Sequence, residues 1–272
     1  MRDLYREHAS EFELNAFEEE QLLRLRKDGC VVLDGFFKNE VDIVRQQFER
    51  ELVDGSHIVT GNLSTFDHQY RCTLTDTLYH IPAAASLVYH ETILRITAAY
   101  KCQIPVYYGR AYRTDPMPEP SASSLIHRDA HGDFTIFVFL EPVSLHNGAG
   151  VYVRGSHDYC WKSNIPYSCD EKHVRDVFTD AKDWLSYEGS AGTVVIADTT
   201  GYHKGPVWQR FGDARNRSRD VLHWVALGVE DNGRREGQRT TVRLRPETVD
   251  SFESLQRHFL SGIELATQEP SS

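Results

Sequence analysis

The 272-residue chain lacks the features that mark several large classes of protein. Its five cysteines are odd in number and show no CxxC spacing, which argues against a zinc ribbon or a disulfide framework and favours a reducing compartment. No apolar run approaches the ~20 residues that a membrane-spanning helix needs. The charged N-terminus has no apolar segment of the signal-peptide kind. These absences predict a cytoplasmic protein with no membrane partner.

Positive charge is also scarce. Asp and Glu number 40 against 30 Lys and Arg, which gives a formal net charge of −10 and a pI of about 5.7. The one arginine-rich run, residues 215–219, is short and flanked by Asp213 and Asp220. Because nucleic-acid-binding proteins usually carry a concentrated basic face, we expect no nucleic-acid partner and a small-molecule substrate. No feature predicts an oligomeric state.

The first part of the chain, to about residue 103, has a helical pattern. Residues 17–28 carry leucines among charges and are followed by Gly29, which is typical of an amphipathic helix and its end. Apolar residues at helical spacing predict further helices at 39–53 and 83–100. CVVLDGFF (30–37) predicts a short strand and a turn.

The residue pattern changes from about residue 104, where short apolar and aromatic runs are separated by Gly, Pro, Asn and Asp. Such runs predict strands of a sandwich or barrel, at 104–112, 134–143, 150–156, 192–198 and 219–229. A last helix is expected around 246–262, within a tail at 231–272. We expect one domain over 1–272 that is mainly β with flanking helices and a jelly-roll-like core at about 104–230.

The segment LIHRDAHGD (125–133) carries the strongest chemical signal. His127 and Asp129 are two residues apart, so both side chains leave the same face of an extended segment. An imidazole beside a carboxylate suits a divalent first-row metal. His203, just beyond the apolar strand in GTVVIADTTGYHKGP, is the best third ligand. His131 is an alternative by the same spacing from Asp129.

Arg219 follows His203 by 16 residues, so it lies about one strand further along the chain. Two histidines and a carboxylate occupy one face of an octahedral iron(II) and leave positions for a bidentate cosubstrate and O2. A C5 dicarboxylate bound there needs a fork of donors for its distal carboxylate. Arg219 begins the strand RDVLHWVALGV and could point inward with Val221 and His223. Arg217 and Arg215 lie two and four residues before Arg219, so on a strand they would face the same side, and both stay open as alternatives.

Over roughly residues 20–230 the chain resembles the phytanoyl-CoA dioxygenase family. The resemblance lies in HRDAHGDFTIFVFLEPVSLHNGAGVYVRGSHDY (127–159), GTVVIADTTGYHKG (192–205), RNRSRDVLHWVA (215–226) and KDGCVVLDGFF (27–37). It implies a double-stranded β-helix of cupin type, with iron(II) held by His127, Asp129 and His203. It also implies 2-oxoglutarate bound by Arg219, and O2 as the oxidant.

The resemblance implies a dioxygenase that hydroxylates or otherwise oxidises a C–H bond and releases succinate and CO2. Related halogenases have Gly or Ala in place of the carboxylate, so Asp129 favours hydroxylation. Tyr112 and Arg113, on the strand before the metal segment, could line the pocket, and Thr135 could hydrogen-bond the cosubstrate.

Two alternatives remain open at the level of sequence. A cupin-type metalloenzyme without 2-oxoglutarate would use three or four histidines and no arginine. A non-catalytic binding domain would have a broken metal triad. Gly155-Ser156-His157-Asp158 could suggest a hydrolase, but adjacent residues cannot form a catalytic relay, so we interpret this segment as a strand-ending turn.

Asn147-Gly148 with Gly150 predicts a hairpin turn. The Pro- and Ser-rich segment 114–124 is expected to be a loop beside the pocket. We favour a small metabolite or a natural-product intermediate as substrate.

Overall fold

A computed structural model of the chain describes residues 2–60, 71–116, 125–129, 134–163, 170–205, 218–227, 241–260 and 264–266. Its helices are α1 Arg2–Glu7, α2 Ala16–Asp28, α3 Val41–Asp54, α4 Thr77–His80, α5 Pro82–Val88, α6 Glu91–Lys101, α7 Ser156–Ser163, α8 Glu171–Val177, α9 Pro246–Asp250 and α10 Ser254–Leu260. Its strands are β1 Cys30–Leu33, β2 Ile58–Thr60, β3 Arg71–Leu74, β4 Val106–Thr114, β5 Phe134–Phe139, β6 Val151–Val153, β7 Trp184–Ser186, β8 Val194–Asp198, β9 His203–Lys204, β10 Arg219–Leu227, β11 Thr241–Arg243 and β12 Glu264–Ala266.

The larger sheet has seven strands in the order β1-β8-β5-β10-β4-β3-β2, and every neighbouring pair is antiparallel. Strands β10 and β4 form its longest ladder, which runs from Arg219 opposite Thr114 to Leu227 opposite Val106. A smaller antiparallel sheet has the order β7-β6-β9. Strands β11 and β12 form a separate parallel pair.

The two faces of the larger sheet have different partners. On β5, Ile136 and Val138 belong to the main hydrophobic core, which the helices of the N-terminal part and α10 complete. Phe139 and the partly buried Phe137 belong to a second cluster on the opposite face, together with Tyr152 of the smaller sheet. Because successive strand residues point to opposite faces, one face binds the helices and the other is left to form a cavity with the smaller sheet.

Helix α2 ends at the predicted Gly29, and its start is fixed by a cap that was not predicted. The Asn15 side chain accepts from the Glu18 amide and the Glu18 carboxylate accepts from the Asn15 amide, a capping box. Gly29 ends the helix with φ +78, in the left-handed region where glycine is favoured. The buried Glu18 also pairs with Arg95 of α6 at 3.1 Å, so the cap residue also ties α2 to its neighbour.

Several predicted elements differ in detail. The single helix expected at 83–100 is two helices, α5 and α6, because His90 takes an extended conformation and starts the second one. The helix expected at 246–262 is likewise divided into α9 and α10. Several short elements were not predicted, namely helices α1, α4, α7 and α8 and strands β2, β3, β7, β9, β11 and β12.

Two predicted turns also need correction. Asn147-Gly148 does not close a hairpin, because β5 and β6 belong to different sheets. Leu145–Asn147 is a 3-10 turn capped by the Ser144 side chain, and Gly148 follows it with φ +85. The turn predicted at Gly155 is present with φ +72, but Ser156 then starts α7. Within the described residues, no helix combines the length and apolarity needed to cross a bilayer.

Candidate active site

A cavity of about 390 Å³ lies between the two sheets. Its walls come from β3, β4, β5 and β10 on one side, and from β9 and the segments next to β6, β7 and β8 on the other. Phe137, Phe139 and Val225 supply apolar surface. The polar groups that line it are the residues that the sequence analysis singled out, together with several that it did not.

His127, Asp129 and His203 converge on this cavity. His127 and His203 face each other as a backbone bridge, in which the His127 amide donates to the His203 carbonyl at 2.9 Å and the reverse bond is 2.8 Å. The Asp129 amide donates to the Thr199 carbonyl at 2.7 Å. One ligand atom from each of the three side chains lies within 4.8 Å of the others. The backbone thus brings His203 together with His127 and Asp129, which precede it by 76 and 74 positions.

Both histidines present the same ring nitrogen to the cavity. Nδ1 of His127 is 2.7 Å from the Leu125 carbonyl, and Nδ1 of His203 is 3.0 Å from the Gly201 carbonyl. A carbonyl can only accept, so each Nδ1 carries the proton and each Nε2 keeps a lone pair. Nε2 of His203 is 3.7 Å from Asp129 Oδ2. In metal sites, histidine ligands commonly donate one ring N–H to a carbonyl in this way, which orients the other nitrogen towards the metal ion.

Burial supports the neutral form of His203. Desolvation lowers the pKa of its imidazole, and His127 lowers it further, while the Asp129 carboxylate acts in the opposite direction. The net direction is downward, so His203 stays unprotonated at neutral pH. A metal ligand must be deprotonated to coordinate.

The loop between β8 and β9 fixes the positions of Asp129 and His203. The Asp198 side chain accepts from the Thr200 amide at 3.0 Å and from the Tyr100 hydroxyl at 2.6 Å, and the Asp198 carbonyl accepts from the Tyr152 hydroxyl at 2.8 Å. Gly201 is pressed against Tyr152, so that a Cβ there would overlap the Tyr152 hydroxyl. Asp198 and Tyr152 are supporting residues that the sequence analysis did not identify.

Arg219 is a buried cation in the same cavity. Its relative exposure is 5%, and its Nη1 donates to the Gly148 carbonyl at 2.8 Å. Its Nε is buried without a hydrogen-bond partner, and no carboxylate of the described residues pairs with the guanidinium. Burial lowers its pKa, but an arginine stays charged in proteins. A buried charge without a counter-ion is costly, so this one indicates a site for an anionic ligand.

The other predicted residues divide between the two faces of the sheet. Tyr112 and Thr135 are buried and line the cavity, as does His223. Arg113 does not, because it follows Tyr112 by one residue and lies on the opposite face, where Nη2 and Nε bind the Asp220 carboxylate at 2.6 and 2.8 Å. His131, Arg215, Arg217 and most of the 114–124 loop lie outside the described residues.

Two further arginines in the cavity wall were not predicted. Arg110 precedes Tyr112 by two residues on β4, so its shared parity could have revealed it. Arg71 on the short strand β3 lies over the Tyr112 ring at 4.3 Å, and no sequence pattern marked that strand.

Comparison with known proteins shows the fold. No family model and no curated protein match the sequence. Among solved structures, the chain is similar to the non-heme alpha-ketoglutarate-dependent epimerase SnoN from nogalamycin biosynthesis, with 17% identity, a TM-score of 0.55, and coverage of 79% of this chain and 82% of that one. It is similar to the carbocyclase SnoK from the same biosynthesis, with 19% identity, a TM-score of 0.57, and coverage of 80% and 86%. It is also similar to EctD from S. alaskensis, with 18% identity, a TM-score of 0.56, and coverage of 80% and 78%. The predicted double-stranded β-helix is confirmed.

Proposed function

We propose that the protein is a non-haem iron(II)- and 2-oxoglutarate-dependent oxygenase acting on a small molecule. One observation carries the proposal: two histidines and a carboxylate share a cavity with a buried arginine that has no acidic partner among the described residues. The fold neighbours add support. SnoN has been crystallised with Fe3+ and alpha-ketoglutarate, and EctD with Fe and with 2-oxoglutarate and 5-hydroxyectoine. Membership of the phytanoyl-CoA dioxygenase family stays a prediction.

The donor set fits iron(II). His127 and His203 would bind it through Nε2 and Asp129 through a carboxylate oxygen, the two-histidine, one-carboxylate set that is diagnostic of non-haem iron oxygenases. When bound, the iron supplies the activation of O2 and the oxidation of a C–H bond, coupled to conversion of 2-oxoglutarate into succinate and CO2. The protein's part is to hold the ligands, orient the two organic molecules and limit access of water.

Arg219 would bind the distal carboxylate of 2-oxoglutarate. A guanidinium offers two parallel N–H donors to a carboxylate, and the unpartnered Nε of Arg219 is available for one of them. Tyr112 lies beside Arg219 and Thr135 lines the same cavity, so we assign both to the wall of the cosubstrate site. Arg71, stacked on Tyr112, adds positive charge at that end.

The apolar wall has a chemical role. Phe137, Phe139 and Val225 give the cavity an apolar wall on the side of the larger sheet. In a dry cavity the attraction between Arg219 and a carboxylate is less screened than in water. The same walls would keep the oxidising centre away from solvent and direct it to the bound substrate.

The alternatives differ in what they require of these residues. A cupin-type metalloenzyme without 2-oxoglutarate gives no reason for the buried Arg219. A non-catalytic binding domain gives no reason for two imidazoles and a carboxylate whose ligand atoms lie within 4.8 Å of one another. SnoN and SnoK are named for an epimerisation and a ring closure. Asp129 keeps the carboxylate that related halogenases lack, which argues against halogenation, so we propose hydroxylation or a related oxidation.

Succinate formation tests the proposal. The purified protein is supplied with iron(II), ascorbate, O2 and 2-oxoglutarate, and succinate is measured with and without a panel of small metabolites. We expect slow succinate formation that requires iron and is absent in Asp129→Ala. Consumption of 2-oxoglutarate in Asp129→Ala at the wild-type rate would remove the basis of the assignment.

A further inference from the structure

The cavity wall holds more positive charge than the metal site and the cosubstrate need. Arg71, Arg110 and Arg219 all line it. Lys204 also lines it but is paired with Glu171 at 2.9 Å. Among the lining residues that the structure describes, Asp129 is the one carboxylate, and it belongs to the proposed metal site. The cavity is therefore an electropositive compartment in a chain whose net charge is −10.

Arg110 and Arg219 stand at different ends of this compartment. Arg219 lies opposite Thr114 in the β10–β4 ladder, whereas Arg110 lies opposite His223. Arg219 and His223 are four residues apart on β10, which corresponds to about 13 Å along an extended strand. Arg71, and not Arg110, is the cation whose charge acts on the Arg219 guanidinium, so we treat Arg110 as separate from the carboxylate site at Arg219.

Arg71 belongs to the Arg219 end. It faces the same Thr114 from the other side of β4, and its guanidinium is stacked on Tyr112. This leaves Arg110 as a separate cation, which has no hydrogen bond or ion pair with any described residue. It is partly exposed, and its register partner His223 lines the cavity beside it.

His223 gives this end of the cavity a second polar group. Its ring is stacked on Phe137 with centroids 4.6 Å apart, and it meets Tyr112 edge-on at 5.8 Å. Burial, then Arg110 and Arg71, hold the pKa of this imidazole well below its usual range. The ring is therefore neutral and offers one N–H donor. A guanidinium and an N–H donor on adjacent strands form a suitable cradle for an oxyanion.

We propose that the primary substrate is a small anionic molecule whose carboxylate or phosphate is bound by Arg110 and His223, at the end of the cavity away from Arg219. This inference rests on the proposed function for the identity of the second ligand at Arg219. The anion would anchor the substrate and set which of its carbon atoms faces His127, Asp129 and His203. Arg110 is thus a specificity residue.

Sulfate is the probe for the anion site, because it does not depend on knowing the substrate. The protein is loaded anaerobically with iron(II) and saturating 2-oxoglutarate, so that Arg219 is occupied. Sodium sulfate is then titrated by calorimetry against sodium chloride of equal ionic strength. We expect one saturable site in the wild type, at least tenfold weaker binding in Arg110→Gln, and an intermediate affinity in Arg110→Lys, which keeps the charge but loses the fork.

Arg50→Gln is the matched control, because Arg50 is an exposed arginine on α3, away from the cavity. It should bind sulfate as the wild type does. Absence of saturable sulfate binding in the wild type, or equal binding in Arg110→Gln, would overturn the proposal. The same titration of the apoprotein separates the two hypotheses: a sulfate site lost in Arg110→Gln supports the anion site even if no 2-oxoglutarate binds.

Turnover then identifies the anion. Succinate formation is measured with matched sets of a carboxylic acid, the corresponding primary amide and the corresponding phosphate monoester. Stimulation by the acid or by the phosphate, but not by the amide, distinguishes the two oxyanions and agrees with the proposal. Stimulation by the amide equal to that by the acid would contradict it.

Discussion

Two arginines on opposite faces of the same sheet should respond to substitution in opposite ways. Arg219 on β10 faces the cavity, is buried, and has no acidic partner among the described residues. Arg113 on β4 faces away and binds the fully buried carboxylate of Asp220 through two hydrogen bonds. We predict that Arg219→Met abolishes 2-oxoglutarate binding without a large loss of stability, and that Arg113→Met does the reverse.

The magnitude for Arg219 follows from the hydrogen bonds that it would make. A hydrogen bond to a charged group contributes about 1.5–3 kcal/mol. Two such bonds to a carboxylate, about 3–6 kcal/mol, correspond to a roughly 10²- to 10⁴-fold loss of affinity. In the ligand-free protein the substitution removes an uncompensated buried charge, which offsets the lost bond to the Gly148 carbonyl. The free energy of unfolding should then change by about 1 kcal/mol or less.

Arg113→Met leaves the Asp220 carboxylate buried and unpaired. Breaking a buried ion pair by removing one partner costs about 3–5 kcal/mol, and we expect the lower end because the Arg113 side chain is 31% exposed. Since Arg113 points away from the cavity, the folded fraction of this variant should bind 2-oxoglutarate as the wild type does.

Thermal unfolding in the presence of a redox-inert divalent metal and increasing 2-oxoglutarate measures both quantities. At a concentration 100 times its Kd, the ligand should stabilise the wild type by about 2.7 kcal/mol. The same concentration should stabilise Arg219→Met by less than about 0.5 kcal/mol. The reasoning is refuted if Arg219→Met is stabilised by 2-oxoglutarate as much as the wild type, or if its ligand-free form unfolds as readily as Arg113→Met.

The remaining predictions concern the metal ligands, their support and pH. Asp129→Ala should greatly weaken iron binding and abolish turnover. Iron binding is measured by equilibrium dialysis, and full occupancy of this variant would contradict the assignment. Gly201→Ala should lower iron affinity about 10- to 100-fold, because the new Cβ overlaps the Tyr152 hydroxyl. Adding Tyr152→Phe should restore part of the lost affinity. If the double variant binds iron no better than Gly201→Ala, the overlap with the hydroxyl is not the cause. His223 is neutral when folded, with its pKa held down by burial and by Arg110, Arg71, Arg219 and His203. The contribution of His223 to stability is therefore present above the unfolded pKa of about 6.5. It is lost as the pH falls below that value, by up to about 1.4 kcal/mol per pH unit. The melting temperature of His223→Phe should therefore depend less on pH between 7 and 5 than that of the wild type, and equal slopes would show that other groups dominate.

Much of the fold was readable because its signals are local. The leucines of α2 and Gly29 were enough to predict that helix, and the Asn15 cap at its start is an equally local signal that was not used. The apolar runs of β5, β8 and β10 are long enough to be recognised without their partners. Where the pattern misled, a single residue decided the outcome, as at His90, which interrupts an otherwise continuous helical pattern with an extended backbone.

Site residues could be predicted only where their spacing along one strand shows that they face the same side. His127 and Asp129 are two residues apart, and Tyr112 marks the cavity face of β4, which also presents Arg110. Arg113 was placed in the pocket as a candidate although its parity puts it on the other face. Arg71 depends on the pairing of β3 with β4, and Asp198 on contacts with Tyr100 and Tyr152. Such long-range contacts leave no periodic trace in the sequence.

The central claim is that one cavity binds iron(II) through His127, Asp129 and His203 and 2-oxoglutarate through Arg219. The most direct measurement is an anaerobic titration of the apoprotein with iron(II) and then with 2-oxoglutarate, followed by the weak visible metal-to-ligand charge-transfer band. We predict a band that requires both components, is lost in Asp129→Ala and needs far more 2-oxoglutarate in Arg219→Met. Bound iron without any band on addition of 2-oxoglutarate would contradict the account and favour a cupin-type metalloenzyme that does not use this cosubstrate.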